Sequence, residues 1–494
     1  MQQFSLSSKS RKYLWQILFF IFIARLFTMF VLPLIDTTEA RYGEMARKML
    51  ETGNWITPLH DYGVPFWAKP PLSIWGSAIS MKIFGINEFA ARLPSLFFML
   101  GNLVLIWHLC KSRYNKDFAL LNITILFALP LFFVSAGAVM TDAGLAFSVC
   151  LVFAGFWLAT NEKDKNRQKL FGYLFFVGLG LGLLAKGPIS WILTLPPILI
   201  WQFRHNKLSS LKNLPWLSGC LLILLIAAPW YILAELKTPG FLNYFIVGEH
   251  LKRFLVPGWS GDLYGHPHRQ PLGMIWIFMI ISTFPWVLFL AHMLLRNYKK
   301  SFYVISHNYK DSWLCYLFYW SLWPLVFFTF ARNIIFPYVI TALPPFVLLV
   351  SELWTRSSQS IDKINFKHWL TIPLLLPVSC ILLWICLLTY NPYFNNIIGP
   401  YKITQKYMNL RESKESEFYF YCNRSYSAQF YSHGKAKNTK DLKELEKLFS
   451  NNTEDFIVVK NKKMHLINSI SKNFIVVADI GGYSLLKEIK IKSK

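Results

Sequence analysis

The sequence predicts an α-helical polytopic membrane protein that ends in a small α/β domain outside the membrane. Three observations lead to this prediction. Of the 494 residues, 54% are hydrophobic and only 16% are charged, the mean hydropathy is +0.36, and apolar stretches recur at the length that a bilayer requires. This composition excludes disordered and fibrous proteins, and six of the seven cysteines lie in or beside apolar runs, which argues against a disulfide framework.

Apolar windows long enough to cross a bilayer, at about 20 residues each, predict about eleven spans. They cover 13–35, 89–109, 118–136, 142–160, 169–185, 188–203, 214–235, 271–294, 313–331, 334–352 and 369–390. The segment 72–86 is short and contains Gly76, Lys82 and Gly85. We therefore expect a re-entrant or interfacial helix there, and counting it as two passes would give about thirteen spans.

Lysine and arginine are concentrated in alternate loops, which predicts the orientation of the chain. The basic loops, which we expect on the cytoplasmic side with the N-terminus, are 111–116, 161–169, 204–212, 296–300 and 355–367. The periplasmic side then receives the loops 36–88 and 236–270. We predict a membrane domain over 1–390 and a soluble periplasmic α/β domain over 391–494.

The tail 391–494 differs from the rest of the chain in its residue pattern. Short β-rich runs alternate with helix-like segments, which is typical of a small α/β domain. The β-rich runs are 417–423, 455–461 and 473–480, and the helix-like segments are 425–431 and 441–449.

The chain is strongly basic, with 51 Lys and Arg against 26 Asp and Glu and a net charge of +25. Such an excess favours anionic partners. In a membrane protein we expect these partners to be membrane lipids and lipid phosphates, and we expect no nucleic acid.

The densest polar cluster directly follows the first predicted span. Asp36 and Glu39 have the spacing of a capping box and Gly53 can end a helix, so we predict a surface helix from about 38 to 51. A carboxylate at this boundary is also where a lipid-linked substrate presents its headgroup. Asp36 and Glu39 are therefore candidate catalytic residues, and Tyr42 is a candidate for the substrate cavity.

Three further ionisable residues stand in short turns between apolar segments. Lys69 lies between aromatic residues and prolines, whereas Asp142 and Lys186 lie in strongly apolar turns. Because a charge in such a place usually serves a partner or a substrate, Lys69 and Lys186 are candidate phosphate ligands and Asp142 is a candidate catalytic residue. The alternatives are a lysine that reaches lipid headgroups, a helix cap at Asp142 and a helix-dipole partner at Lys186. Arg25 lies inside the first span, where we expect a carboxylate partner from another helix.

The loop before the eighth predicted span is rich in cations and histidines. Arg253 and Arg269 are candidate bidentate phosphate ligands. Glu249 and the histidines could hold a divalent cation, although their spacing matches no tight zinc signature. The candidate cavity residues of this loop and of the head of a later span are Glu249, His250, Tyr264, His266, His268, Arg332 and Tyr338.

These motifs follow one another in a fixed order. The order is D-x-x-E-A-R-Y-x-E-x-A-R from Asp36, A-K-P around Lys69, T-D at Asp142, K-G-P from Lys186, and E-H-x-x-R-F followed by H-x-H-R-x-P from Glu249 onwards. In this order they resemble the C-type (GT-C) glycosyltransferases that use polyprenyl-phosphate sugars. The similar members are the aminoarabinose transferases of lipid A and the protein-mannosyltransferase-like enzymes.

The resemblance implies a role for several positions. Asp36 corresponds to a catalytic carboxylate of the first loop, Lys69 to a ligand of the lipid phosphate and Asp142 to a second aspartate, while Arg269 and Tyr338 line the cavity. Ala68 stands where the aminoarabinose transferases have glutamate. A metal site built on that glutamate would lack this ligand here.

The implied activity is transfer of one sugar, such as aminoarabinose or galactosamine, from undecaprenyl phosphate to a lipid A phosphate. It would take place at the periplasmic face of a bacterial inner membrane and need no cofactor beyond the lipid-linked donor, unless a divalent cation takes part. A protein O-mannosyltransferase-like enzyme with a hydroxyl acceptor is an alternative, in which Asp36 would be the general base. A polyprenyl-lipid transporter or flippase is the alternative from another class, but transporters place their polar sites near the midplane.

Overall fold

The computed structural model describes residues 4–256, 259–265, 268–296, 311–357, 366–391, 395–413, 415–446 and 453–489. The part up to Tyr390 is almost entirely helical, and a five-stranded sheet follows it. The predicted fold class, a helical membrane protein with a small C-terminal α/β domain, is confirmed.

The first half of the chain forms helices α1 to α10 and one short hairpin. The helices are α1 (Ser8–Val31), α2 (Thr38–Thr52), α3 (Leu72–Phe84), α4 (Glu88–Arg113), α5 (Lys116–Phe127), α6 (Pro130–Ser135), α7 (Thr141–Asn161), α8 (Lys165–Lys186), α9 (Ile189–Arg204) and α10 (Trp216–Lys237). The hairpin strands are β1 (Leu59–Asp61) and β2 (Val64–Pro65). Side-chain caps begin several of these helices, as at Asn87, whose side chain accepts from the Ala90 amide.

A π-helix (Asn243–Lys252) and a single helical turn, α11 (Arg253–Leu255), follow. The later helices are α12 (Met274–Thr283), α13 (Trp286–Arg296), α14 (Ser312–Thr329), α15 (Leu343–Ser357), which continues a 3-10 helix (Phe336–Ala342), α16 (Phe366–Tyr390), α17 (Gly399–Leu410), α18 (Tyr426–Tyr431) and α19 (Leu442–Glu446). A π-helix adds one residue to a turn and is often found at functional sites.

Among the described residues, seven helices are long and apolar enough to cross a membrane, and α12 with α13 would make an eighth across a bend of 97°. The seven are Ser8–Val31, Glu88–Arg113, Thr141–Asn161, Lys165–Lys186, Trp216–Lys237, Phe336–Arg356 and Pro373–Tyr390. This count is below the predicted eleven because some apolar windows are not single long helices. The window 118–136 is broken where Pro130 begins α6, and the window 188–203 is a helix of only 16 residues. The expectation of a short helix at 72–86 is confirmed by the 13 residues of α3.

Helix α2 is confirmed where the sequence predicts it and ends at Gly53, whose φ of 67° suits glycine. The prediction of a surface helix is wrong, since Glu44 and Lys48 are completely buried. Sequence periodicity could not reveal this burial, because the cover comes from the distant C-terminal domain and from the β1–β2 hairpin. Arg47 and Lys48 both pair with Glu44, at 2.7 Å and 3.6 Å, so the buried charges are compensated.

The C-terminal domain contains one mixed sheet in the order β4-β3-β5-β7-β6. Its strands are β3 (Phe418–Tyr421), β4 (Ala436–Thr439), β5 (Phe456–Lys460), β6 (Phe474–Ile480) and β7 (Tyr483–Glu488). Strand β3 runs parallel to β4 and β5, whereas β7 runs antiparallel to β5 and β6. The three predicted β-rich runs are confirmed as β3, β5 and β6, and the helix-like segments as α18 and α19.

The sheet domain packs on α2 and the hairpin through the loop after β3 and helix α18. Arg424 pairs with Asp61 at 3.0 Å, and the Tyr431 hydroxyl accepts from the Leu34 amide at 2.7 Å. The cover that it forms closes one side of the region where the candidate site residues meet.

Candidate active site

Asp142 and Lys186 form a buried ion pair. Asp142 is the second residue of α7 and Lys186 is the last residue of α8. The Lys186 Nζ lies 2.5 Å from the Asp142 Oδ1, and their side chains are only 9% and 7% exposed. The ammonium also faces the ring of Tyr338, 4.3 Å from its centroid. Two turns that lie 44 residues apart in the sequence therefore form one ion pair.

A second group of charges gathers around Glu249. The Lys69 Nζ lies 3.1 Å from the Glu249 Oε2, and Arg253 NH1 lies 2.8 Å from the same oxygen. The carboxylate is buried, with 2% of its side chain exposed, whereas Lys69 and Arg253 keep 18% and 22%. Burial raises the pKa of Glu249, but Lys69 and Arg253 outweigh it and bring that pKa to about 2. Glu249 is therefore ionised and holds two cations that each keep part of their surface exposed.

The π-helix joins these two groups. Gly187 follows Lys186 with a φ of +78°, and a side chain there would meet the Phe245 ring at 2.5 Å. Because Gly187 leaves this space, the π-helix approaches the end of α8. His250 then sets its Nδ1 2.8 Å from the Phe245 carbonyl and its Nε2 3.2 Å from the Lys186 carbonyl. This histidine fixes the relative position of Glu249 and Lys186.

An aromatic wall lies beside the Glu249 group. The Tyr264 hydroxyl donates to the Pro65 carbonyl at 2.8 Å and accepts from the Trp67 amide at 3.1 Å. Its ring packs on Phe66 with centroids 4.7 Å apart. The buried Tyr42 ring meets Phe66 edge-on at 6.1 Å. This wall carries two of the predicted cavity residues, Tyr42 and Tyr264, next to Lys69.

The arrangement suits the binding of a phosphate. Lys69 and Arg253 converge on one buried carboxylate and keep exposed surface, so an anion can approach both at once. Lys186 adds a third cation nearby. Among the described residues, no three His, Cys, Asp or Glu side chains converge as a metal-binding set.

Comparison with known proteins also points to enzymes that use phosphate-linked sugars. A family model of dolichyl-phosphate-mannose-protein mannosyltransferases matches residues 14–245. The undecaprenyl phosphate-α-4-amino-4-deoxy-L-arabinose arabinosyl transferase of Erwinia tasmaniensis is 28% identical over 319 residues, which are 64% of this chain and 54% of that protein. A namesake from Pseudomonas fluorescens is 29% identical over 343 residues, 66% of this chain and 56% of its own length.

The crystal structure of ArnT from Cupriavidus metallidurans bound to undecaprenyl phosphate superposes with a TM-score of 0.75 at 15% sequence identity, covering 97% of this chain and 98% of that one. The chain has the fold of this structure and is similar in sequence to these transferases. The resemblance read from the ordered motifs is thereby confirmed. In sequence, the chain spans a little over half the length of the curated relatives that it matches.

Asp36 lies apart from the two charge groups. Its carboxylate accepts from the Ser425 hydroxyl at 2.6 Å and from the Ser427 amide at 2.9 Å, both in the C-terminal domain. Burial raises the pKa of Asp36, although these hydrogen bonds oppose the rise. The predicted cap is wrong, since Thr37 precedes α2 and makes no side-chain capping bond. The contacts of Asp36 tie the membrane domain to the sheet domain.

Glu39 also has a different neighbourhood from the one predicted. It pairs with Arg92 at 2.8 Å and accepts from the Val139 amide at 2.9 Å. Burial raises the pKa of Glu39, but Arg92 outweighs it and the pKa is lowered. Arg92 in turn donates to the carbonyls of Met29 and Pro33 at the end of α1. Glu39 therefore holds the turn that leads into Asp142.

Arg25 supports the same turn from the other side. It donates to the Val134 carbonyl at 3.0 Å and to the Thr28 hydroxyl at 3.3 Å, and a side chain at Gly137 would collide with its Nε. The expected carboxylate partner is wrong, because within the described part of the chain Arg25 makes no salt bridge. It compensates its charge with backbone carbonyl and hydroxyl oxygens and with the face of Phe133, 5.4 Å away.

The remaining candidates form an exposed strip. Arg269 pairs with Asn333 through a backbone bridge, and the Gln270 amide donates to the Arg332 carbonyl at 2.6 Å. The side chains of His268, Arg269 and Arg332 are exposed. The structure brings these three together with one another rather than with Glu249. His266 lies outside the described residues.

Sequence reasoning missed several residues of this region. Asp262 lies 3.5 Å from Arg253, and the Tyr244 hydroxyl donates to Glu249 at 3.2 Å. Arg92, the partner of Glu39, lies inside a predicted span, so its charge in an apolar stretch could have marked it, as it marked Arg25. Asp262 and Tyr244 gave none, since a single acid or tyrosine in a polar loop is ordinary.

Proposed function

We propose that this chain is a glycosyltransferase that transfers an aminosugar from undecaprenyl phosphate to a phosphate of lipid A. The observation that carries the proposal is the convergence of Lys69 and Arg253 on the buried Glu249, next to the pair of Lys186 with Asp142. The aminoarabinose transferases among the relatives are named for such a donor. The donor phosphate binds between Lys69 and Arg253, and Lys186 stands behind it.

The chemistry follows from the charge that develops in the reaction. An oxygen of the acceptor phosphate attacks the anomeric carbon, and the bond from that carbon to the phosphate oxygen of the carrier breaks. The departing undecaprenyl phosphate gains one negative charge, which Lys69 and Arg253 stabilise. Glu249 keeps both cations in place before the substrate arrives, so they need no rearrangement in the transition state.

In this scheme Asp142 orients the substrates and does not remove a proton from the acceptor. A phosphate acceptor is already ionised at neutral pH and needs no general base. Asp142 keeps Lys186 fixed near Tyr338, and its carboxylate is placed to recognise an amine on the donor sugar. Asp36 and Glu39 act on structure, Asp36 through the C-terminal domain and Glu39 through the turn before Asp142.

We infer an inner-membrane enzyme of a double-membrane bacterium that works at the periplasmic face, with the N-terminus in the cytoplasm and the C-terminal domain in the periplasm. The alternation of basic loops supports this orientation. The multi-pass membrane architecture itself rests on the seven apolar helices of the described chain.

A protein mannosyltransferase-like activity is the second candidate. The match of residues 14–245 to the dolichyl-phosphate-mannose-protein mannosyltransferase model favours it. In that case the acceptor is a hydroxyl, and a carboxylate near Lys186 has to take its proton. A flippase is disfavoured because the charge groups lie at helix ends, with Asp142 second in α7 and Lys186 last in α8.

Mass spectrometry of lipid A tests the proposal. Deletion of the gene in its host should remove an aminosugar-sized mass increment from lipid A, and the wild-type gene should restore it. Lys69→Ala and Asp142→Asn should not restore it, whereas Lys237→Gln, which removes an exposed charge beside Asn54, should. Unchanged lipid A in the deletion strain would refute this acceptor, and loss of mannose from an envelope protein would favour the second candidate.

A further inference from the structure

Arg41 differs from the other cations around the candidate active site. Lys69, Arg253 and Lys186 each have a carboxylate within 3.1 Å. Arg41 has none among the residues that the structure describes. Its NH1 donates to the Tyr264 carbonyl at 3.2 Å, while its Nε is buried without a hydrogen-bond partner. A guanidinium with a buried unpaired N–H is costly unless a ligand completes it.

The surroundings of Arg41 are aromatic and shaped by two rings. Its guanidinium lies 5.4 Å from the Tyr42 centroid and 5.9 Å from that of Phe66. The aromatic faces stabilise the cation, but they offer no hydrogen-bond acceptor to its N–H groups, which point outward in the plane of the guanidinium. An anion is the partner that such a fork accepts best.

His60 flanks the same rings and has a second unpaired atom. Its ring lies 6.2 Å from Phe66 and 5.0 Å from Tyr264. Its Nε2 is 3.2 Å from the Tyr426 hydroxyl, and its Nδ1 is buried with no partner. Burial, then Arg424, Arg41 and Lys48, lower its pKa to about 4. His60 is therefore neutral at pH 7, and when its Nε2 accepts from Tyr426 its Nδ1 is a free donor.

We propose that Arg41 and His60 form a second anion site, which binds a phosphate monoester of the glycolipid acceptor. This inference rests on the proposed function and names its acceptor subsite. The position is suitable, because Tyr264 contacts Arg41 on one side and reaches the Glu249 group through Tyr244, 5.9 Å from its ring. The C-terminal domain contributes Tyr426 to the site. Donor and acceptor phosphates thus bind on either side of the Tyr42 and Tyr264 wall.

Direct binding to the full chain in lipid nanodiscs tests this site without any transfer. The probes are lipid A with its phosphates, the same lipid after enzymatic dephosphorylation, and inorganic phosphate alone. Wild type should bind the phosphorylated lipid better than the dephosphorylated one. Arg41→Gln should weaken binding of the phosphorylated lipid by about tenfold, the loss of one charged hydrogen-bonded pair, and leave the dephosphorylated lipid unaffected.

The controls separate the possible causes of a loss. Lys237→Gln removes an exposed charge at the end of α10 and should change nothing, whereas His60→Phe should reduce the preference for the phosphorylated lipid. The proposal is overturned if Arg41→Gln and Lys237→Gln behave alike, if Arg41→Gln weakens both lipids equally, or if inorganic phosphate binds as tightly as the lipid. The binding assay contains no sugar donor, so its result does not depend on transfer. If the protein bound the phosphorylated lipid but transferred no sugar in a separate assay, the proposed function would be refuted and the binding site would stand.

Discussion

Two buried glutamates show how similar charges take different tasks in one helical bundle. Glu249 contacts two cations, Lys69 and Arg253. The neighbouring Lys186 faces the ring of Tyr338, near the start of the segment Phe336–Arg356. Glu352 lies near the other end of that segment and is completely buried. It accepts from the Tyr114 hydroxyl and the Trp313 indole at 2.5 Å each, and from Arg356 at 3.2 Å.

The difference lies in what completes each carboxylate. Glu352 has two neutral donors and one cation, Arg356, which also pairs with Asp311 at 2.9 Å. Glu249 has two cations, Lys69 and Arg253, and one neutral donor, Tyr244. A carboxylate that gathers cations prepares them for an anion, whereas one that gathers neutral donors fastens helices together. Burial of charge alone therefore does not identify a functional site.

The largest effect should come from Lys69. Lys69→Ala removes one of the two cations that stabilise the leaving phosphate in the proposed reaction, so transfer should fall by about 100-fold to 1,000-fold with little change in stability. The measurement is transfer of the sugar from a polyprenyl phosphate to lipid A by purified protein. A variant that transfers at the wild-type rate would show that the Glu249 group does not bind the donor.

Glu352 should behave in the opposite way. Glu352→Ala leaves the Tyr114, Trp313 and Arg356 donors without their acceptor and should cost about 3 kcal/mol of stability. We expect a lower midpoint of thermal unfolding in detergent, while the protein that remains folded transfers sugar normally. A stable but inactive variant would remove the contrast between the two glutamates.

Asp36 should show an intermediate effect that depends on the substitution. Asp36→Asn keeps an acceptor oxygen for Ser425 or Ser427 and should retain transfer within about twofold, since a neutral acceptor still bonds the amide. Asp36→Ala leaves a buried amide unpaired, should cost about 1–2 kcal/mol, and should expose the connection before the sheet domain to limited proteolysis. If Asp36→Asn is fully folded and inactive, Asp36 is catalytic after all, as the sequence motif implies.

His60 should give the smallest effect, through pH. Its folded pKa is about 4, below the ordinary value of 6.5, because of burial and then of Arg424, Arg41 and Lys48. Below pH 6.5 His60 becomes protonated in the unfolded chain but stays neutral in the folded protein. The free energy of unfolding that is present above pH 6.5 is therefore lost progressively as the pH falls to 4. Between pH 7.5, 6 and 5, the thermal midpoint of wild type should fall more steeply than that of His60→Phe. Parallel curves for the two proteins would mean that His60 titrates normally.

Much of the architecture could be predicted from local sequence. The long apolar helices, the short helix at 72–86 and the strands β3, β5 and β6 follow from hydrophobic length and from alternation, which depend only on neighbours in the chain. Lys69, Asp142 and Lys186 are predicted because a charge in an apolar or proline-rich setting usually serves a partner, and Glu249 and Arg253 because they lie in a loop rich in cations and histidines. The structure brings these five into one region.

The errors have a shared cause. Helix α2 has the pattern of an exposed helix, yet a domain from the far end of the chain covers it. Asp36 and Glu39 have the spacing of a capping box, yet Asp36 bonds to Ser425, 389 residues away, and Glu39 bonds to Arg92, 53 residues away. Local patterns identify which groups need partners but not which partners they find.

The sequence by itself therefore determined the membrane helices, the sheet-containing tail and several of the charged residues that meet at the candidate site, because burial of apolar length and the cost of an unpaired charge are local properties. Tertiary structure decided the pairing. Lys186 meets Asp142 across 44 residues and Lys69 meets Glu249 across 180. Such contacts exist only after helices pack, since packing, rather than spacing along the chain, brings a buried cation to its carboxylate.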